Sequence, residues 1–129
     1  MPPFDLSATT DGEWAVLAVS GEVDLATGPA LRERLNELAD GGARQVVVDL
    51  RQVDFLDSIG LGVLLAAYRR LREGERPGSL RLVCTNEHVI KVFAVTGLLL
   101  LFPMHASVAQ ARAAAGHDPA RPSDGDGGG

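Results

Sequence analysis

The chain has 129 residues, 46% hydrophobic, 22% charged and 5% aromatic, with a formal net charge of −5, the profile of one soluble globular domain. Its 12 Lys and Arg against 17 Asp and Glu argue against nucleic acid or an anionic membrane as partner, because either needs a positive surface to displace counterions.

Phe4 to Thr9 and Trp14 to Ser20 read as short extended runs around Thr10-Asp11-Gly12-Glu13, where Asp-Gly suits a tight hairpin, so the two should pair antiparallel. Ala15, Leu17 and Val19 alternate with Val16 and Ala18, all apolar, and the second strand is expected to be covered on both faces. Thr27-Gly28-Pro29 opens a helix, with threonine as N-cap and proline in the first turn, where it loses no hydrogen bond. Leu31, Leu35, Leu38 and Ala39 form its apolar stripe, and Gly41-Gly42 supplies the stop.

Gln45 to Leu50 is β-branched and nearly continuous, as a buried parallel strand should be. Arg51 to Asp57 is expected to be a loop. A second helix follows, with Ser58 at its N-cap, Leu61, Leu64, Leu65, Tyr68 and Leu71 on one face, and Arg69, Arg70 and Arg72 near the negative end of its dipole. Leu80 to Thr85 reads as a strand. Asn86 caps a short helix carrying Val89, Ile90 and Phe93 and ending at Thr96-Gly97; Leu99 to Met104 reads as the last strand, and Ser107 caps a final helix over Val108 to Ala115.

The order is ββαβαβαβα. Repeated βαβ units require right-handed crossovers, so the fold class is α/β: one mixed, mostly parallel sheet of about five strands flanked by about four helices. The domain is expected over residues 1–115. From Gly116 to Gly129 the chain is rich in Gly, Pro and Asp and has little to bury, so a disordered tail is expected there. Asp118, Asp124 and Asp126 against Arg121 give that tail −2, leaving −3 on the rest. His117 with these aspartates makes a poor metal site, since a glycine-rich segment cannot hold ligands in place.

Cys84 is the single cysteine, which fits a reducing compartment and a buried inert thiol. The first basic residue is Arg32 and no apolar run approaches the ~20 residues that cross a bilayer. A cytoplasmic location is expected.

The most informative stretch is Asp54-Phe55-Leu56-Asp57-Ser58-Ile59-Gly60-Leu61-Gly62, joining a buried strand to a helix. Gly60 and Gly62 each cost up to ~1 kcal/mol in a first helical turn relative to alanine, which suggests a surface that something approaches closely. A phosphate-binding loop is the weaker alternative: the lysine and the spacing of that motif are missing, and Asp54 and Asp57 would repel a phosphate. As a nucleophile Ser58 would need a base, and the sequence places no acidic partner for either His88 or His105 to act with. Neither zinc spacing nor a metal-binding acidic loop is present. No catalytic residue, cofactor or metal is therefore expected.

Gly21-Glu22-Val23-Asp24-Leu25, the strand Val46 to Leu50, Asp57-Ser58-x-Gly60-Leu61-Gly62 and Thr96-Gly97-Leu98 resemble the sulfate-transporter and anti-sigma-factor-antagonist (STAS) family over about Phe4 to Ala114. Within it the free-standing bacterial anti-sigma factor antagonists are most similar. The resemblance implies that Ser58 is phosphorylated by an anti-sigma serine kinase of the histidine-kinase-like ATPase fold, and that Asp24 lies near it and contributes to kinase recognition. Ile59 stands where many members carry a second hydroxyl. The unphosphorylated form would bind the kinase and release a sigma factor; phosphorylation would end the interaction and a serine phosphatase would restore it. Asp24, Thr27, Asp57, Ser58, Ile59, Gly60, Leu61 and Gly62 form the implied partner surface. The alternatives are a STAS subunit of an ATP-binding transport complex or a stress-signalling scaffold using the same surface.

Overall fold

The structure, a computed structural model, describes residues 3–74 and 76–114. The tail expected from Gly116 to Gly129 lies outside the described residues.

Strands β1 (Asp5–Asp11) and β2 (Trp14–Val23) form the expected antiparallel hairpin, turning through Gly12 at φ +61°. Helix α1 (Gly28–Asp40) leads to β3 (Gln45–Leu56), α2 (Ser58–Arg72), β4 (Ser79–Val83), α3 (Glu87–Val95), β5 (Met104–His105) and α4 (Val108–Ala113). The sheet order is β1-β2-β3-β4-β5, with every pairing after the first parallel.

The period of two along the strands divides the molecule into layers. Ala15, Leu17 and Val19 of β2, Val46, Val48 and Leu50 of β3, and Leu80 and Leu82 of β4 face the main core. Over them lie Leu31, Leu35 and Leu38 of α1, Leu61, Val63, Leu64 and Leu71 of α2, and Val89 and Phe93 of α3. Val47 and Val83 face the other side, where Ala111 and Val108 of α4 cover them beside Trp14 and Val16. Arg112 stacks over the Trp14 ring at 4.5 Å. That short helix leaves Ala18 exposed, so β2 is fully covered on one face only, contrary to the expectation of two.

Several boundaries also differ from expectation, β2 running to Val23 and β4 spanning Ser79–Val83 among them. The segment read as a loop from Arg51 continues β3 to Leu56: Gln52, Val53, Phe55 and Leu56 pair with Ser20, Gly21, Glu22 and Val23 across two register irregularities. Gly21, at one of them, has φ +90°, and a Cβ there would stand 2.7 Å from Phe4 Cα, so the first strand's close approach explains that glycine. The run from Leu99 is not a strand; Leu98–Leu100 form a 3-10 turn and only Met104–His105 pair with β4. Burial of Phe102, edge-on to Tyr68 and to Phe93, pulls the chain inward there. The last helix ends at Ala113, and Ala115 lies outside the described residues.

Candidate functional site

The site is built where β2 and β3 end and α1 and α2 begin. The Asp57 N–H donates to the Val23 carbonyl at 3.3 Å, so the start of α2 is tied to the residue before Asp24. Gly28, the first residue of α1, is buried, and a Cβ on it would stand 2.9 Å from Ile59 Cγ2 and 3.9 Å from Val63 Cγ2. The two helix starts therefore touch, and the turn carrying Asp24, Leu25, Ala26 and Thr27 stands beside Ser58.

Asp57, not Ser58, is the N-cap of α2. Its Oδ1 accepts from the backbone N–H groups of Ile59 at 2.9 Å and Gly60 at 3.3 Å, satisfying two donors that a helix start otherwise leaves open. Ser58 becomes the first helical residue; its side chain is exposed, and among the described residues its Oγ has no hydrogen-bond partner.

Thr27 is the N-cap of α1 by position, but its hydroxyl makes no capping bond. It instead accepts from the Asp24 N–H at 3.0 Å and donates to the Glu22 carbonyl at 2.7 Å. The Asp24 carboxylate closes the turn that precedes α1, accepting from Ala26 N–H at 2.9 Å and Thr27 N–H at 3.1 Å. Asp57 thus caps the first turn of α2, whereas Asp24 shapes the turn that leads into α1, each with its carboxylate held by nearby backbone N–H groups. The surface around Ser58 presents few open backbone donors, unlike a phosphate-binding helix terminus.

The two glycines of the stretch have different reasons. Gly60 is buried: a Cβ there would meet Leu56 Cγ at 2.8 Å and Val23 Cγ1 at 3.0 Å, so it lets α2 sit down on the strand ends. Leu61 is likewise buried in the core. Both support the expected partner surface from beneath and are not on it. Gly62 is exposed with nothing within 4 Å of a Cβ, so it alone keeps the character of an approachable glycine. Large apolar groups also lie open around Ser58: Leu25, Phe55 and Ile59. Leu25 and Phe55 are not among the residues expected on the partner surface. Phe55 falls in the segment expected to be a loop, and Leu25 stands only as the end of the Gly21 to Leu25 motif, with no periodicity to say whether its side chain is exposed.

The other candidate chemistry lies elsewhere. His88 is exposed at the start of α3 and His105 sits on β5. Burial, with the nearby Arg81 guanidinium adding to it, pushes the His105 pKa below the ordinary 6.5. Burial pushes the Cys84 thiol pKa up, away from nucleophilic character. No group of three or more His, Cys, Asp or Glu able to hold a metal occurs among the described residues, and no helix among them is long and apolar enough to cross a membrane.

Residues 5–111 match the family model described as the STAS domain. The anti-sigma-B factor antagonist of Bacillus subtilis is 38% identical over 80 residues, covering 62% of this chain and 71% of that protein. A crystal structure of an anti-sigma factor antagonist from Mycobacterium paratuberculosis superposes with a TM-score of 0.78 at 29% identity, covering 88% of this chain and 94% of that one. The anti-sigma factor antagonist SpoIIAA in its unphosphorylated form gives a TM-score of 0.70 at 25% identity, covering 85% and 93%.

Proposed function

The chain belongs to the STAS domain family, and from that premise we propose that it is a cytoplasmic, non-catalytic anti-sigma factor antagonist whose partner surface is switched at Ser58. Unphosphorylated, it binds an anti-sigma serine kinase of the histidine-kinase-like ATPase fold, and the sigma factor is released. The kinase phosphorylates Ser58 with its own ATP, the complex dissociates, and a serine phosphatase resets the switch. The observation that carries this reading is the exposed, unengaged Ser58 hydroxyl at the first position of α2, flanked by the Asp24 turn and by Ile59. Relatives named as anti-sigma factor antagonists support it.

The switch follows from local electrostatics. Phosphorylation adds about −1.5 to −2 charges and three acceptor oxygens. The donors that would stabilise them, Ile59 N–H and Gly60 N–H, are held by Asp57, whose carboxylate opposes a second anion beside it. A partner closing over that phosphate would have to strip its water without supplying those donors. Asp24, Thr27, Asp57, Ile59 and Gly62 surround the acceptor and complete the proposed surface.

Ser58→Asp tests the switch. Its affinity for the kinase should fall at least about tenfold, ~1.4 kcal/mol, with the thermal midpoint nearly unchanged. Equal affinity would sink the charge switch and favour a transport-complex or scaffold subunit that docks regardless of the state of Ser58.

A further inference from the structure

Beside Ser58, Leu25 is 75% exposed, Phe55 48% and Ile59 38%. Singly exposed apolar residues are ordinary, but a cluster of large ones marks a contact surface. The backbone brings these together: Phe55 pairs with Glu22, Leu56 with Val23, and Ile59 lies against Gly28 just past the turn that holds Leu25. Each lies within three residues of Asp24 or of Ser58.

The surroundings of this cluster are one-signed. Glu22, Asp24, Asp54 and Asp57 lie among it, whereas residues 1–31 and 52–68, the segments that build it, contain no Lys or Arg. Four acids elsewhere are matched, Asp49 by Arg51, Asp40 by Arg70, Glu37 by Arg34 and Glu13 by Arg76, while Asp5, Asp11, Glu33, Glu73 and Glu87 have no ion pair among the described residues. None of the four around the cluster has an ion pair among the described residues.

We infer that Leu25 and Phe55 are the specificity-determining anchors of this surface, seated in apolar hollows of the anti-sigma kinase, while Glu22, Asp24, Asp54 and Asp57 face a basic rim on it. This rests on the proposed function and adds a division of labour to it. Carboxylates around a contact act on encounter, so they set the association rate and its salt dependence. Apolar anchors act once water is expelled, so they set the dissociation rate. The phosphoryl group then breaks the clamp by bringing water among the anchors.

The test uses the full-length protein against each serine kinase of this type encoded in the same genome, with binding kinetics read at low and high salt. Leu25→Ser and Phe55→Ser should each raise the dissociation rate about tenfold or more, leaving association and the thermal midpoint near wild type. Asp54→Asn should slow association and flatten its salt dependence. Leu100→Ser, 84% exposed outside the cluster, should change neither rate. Leu25 stands in a turn, so its variant remains decisive if Phe55→Ser disturbs β3. Dissociation rates within about twofold of wild type for both anchor variants, on a kinase that binds the wild type and labels Ser58, would overturn the anchors and leave the proposed function standing. If no kinase binds the wild type, the proposed function falls and takes the anchors with it.

Discussion

Ile59 packs directly onto the backbone of α1 at Gly28, where a Cβ would stand 2.9 Å from Ile59 Cγ2. Through this contact the turn holding Asp24 and the helix start holding Ser58 keep one fixed relation, so the surface is assembled before any partner arrives.

Gly28→Ala should therefore force Ile59 and α1 apart. The overpacking costs about 1–3 kcal/mol, more than the gain of a better helix former in a first turn, and urea denaturation should show a net loss of about 1 kcal/mol. With Ile59→Ala in the background the loss should vanish. Additive losses in that double-mutant cycle would deny the contact.

Asp57→Ala should cost ~1 kcal/mol and Asp57→Asn only a few tenths, because asparagine also caps well. Ser58→Ala should stay within about ±0.5 kcal/mol. Chemical denaturation that ranked Ser58→Ala as the costlier change would return the cap to Ser58.

The paired glycines of α2 should respond with opposite signs. Gly60→Ala drives a Cβ into Leu56 and Val23 and should lose about 1–3 kcal/mol. Gly62→Ala meets open space and should gain up to ~1 kcal/mol from helix propensity. Two losses of the same size would contradict the packing described.

His105 makes stability pH-dependent. Its folded pKa lies below the unfolded 6.5 because burial, and then Arg81, disfavour the imidazolium. The unfolded chain therefore takes up the proton first, and the stability held by the neutral ring is complete above about 6.5 and is lost as pH falls through and below that value. Asp49, held below 3.8 because its bonds to Arg51 outweigh its burial, loses its contribution only at lower pH. Thermal midpoints measured from pH 7.5 to 5 should fall less steeply in His105→Gln than in wild type. Parallel declines would remove His105 from the account.

How much of this was legible in the sequence depended on whether local pattern and tertiary pairing agreed. Asp11-Gly12 between two extended runs was enough for the hairpin, but Ala15 to Val19 are all apolar, and which face of β2 meets the core was not legible because the short helix that leaves Ala18 exposed is set by tertiary packing. Past Leu50 the pattern fails: Arg51, Gln52 and Asp54 are exposed polar residues, and β3 persists there because β2 pairs with it. That hid Phe55. The run from Leu99 to Met104 suggested a strand, but Phe102 buries against Tyr68 and Phe93 and the chain must turn to place it. Asp57 and Ser58 are comparable N-caps by propensity; the bond from Asp57 N–H to Val23 decides between them. The sequence did bring Asp57-Ser58 to a strand-helix junction, since the Val46 to Leu50 run and the helical period from Leu61 bracket it.

In the proposed function Ser58 carries the switch. The protein and its Ser58→Ala variant, each incubated with the anti-sigma serine kinase and ATP, should differ completely by phosphopeptide mass spectrometry: one phosphate at Ser58 in the first and none in the second. Undiminished phosphate incorporation in Ser58→Ala would contradict it.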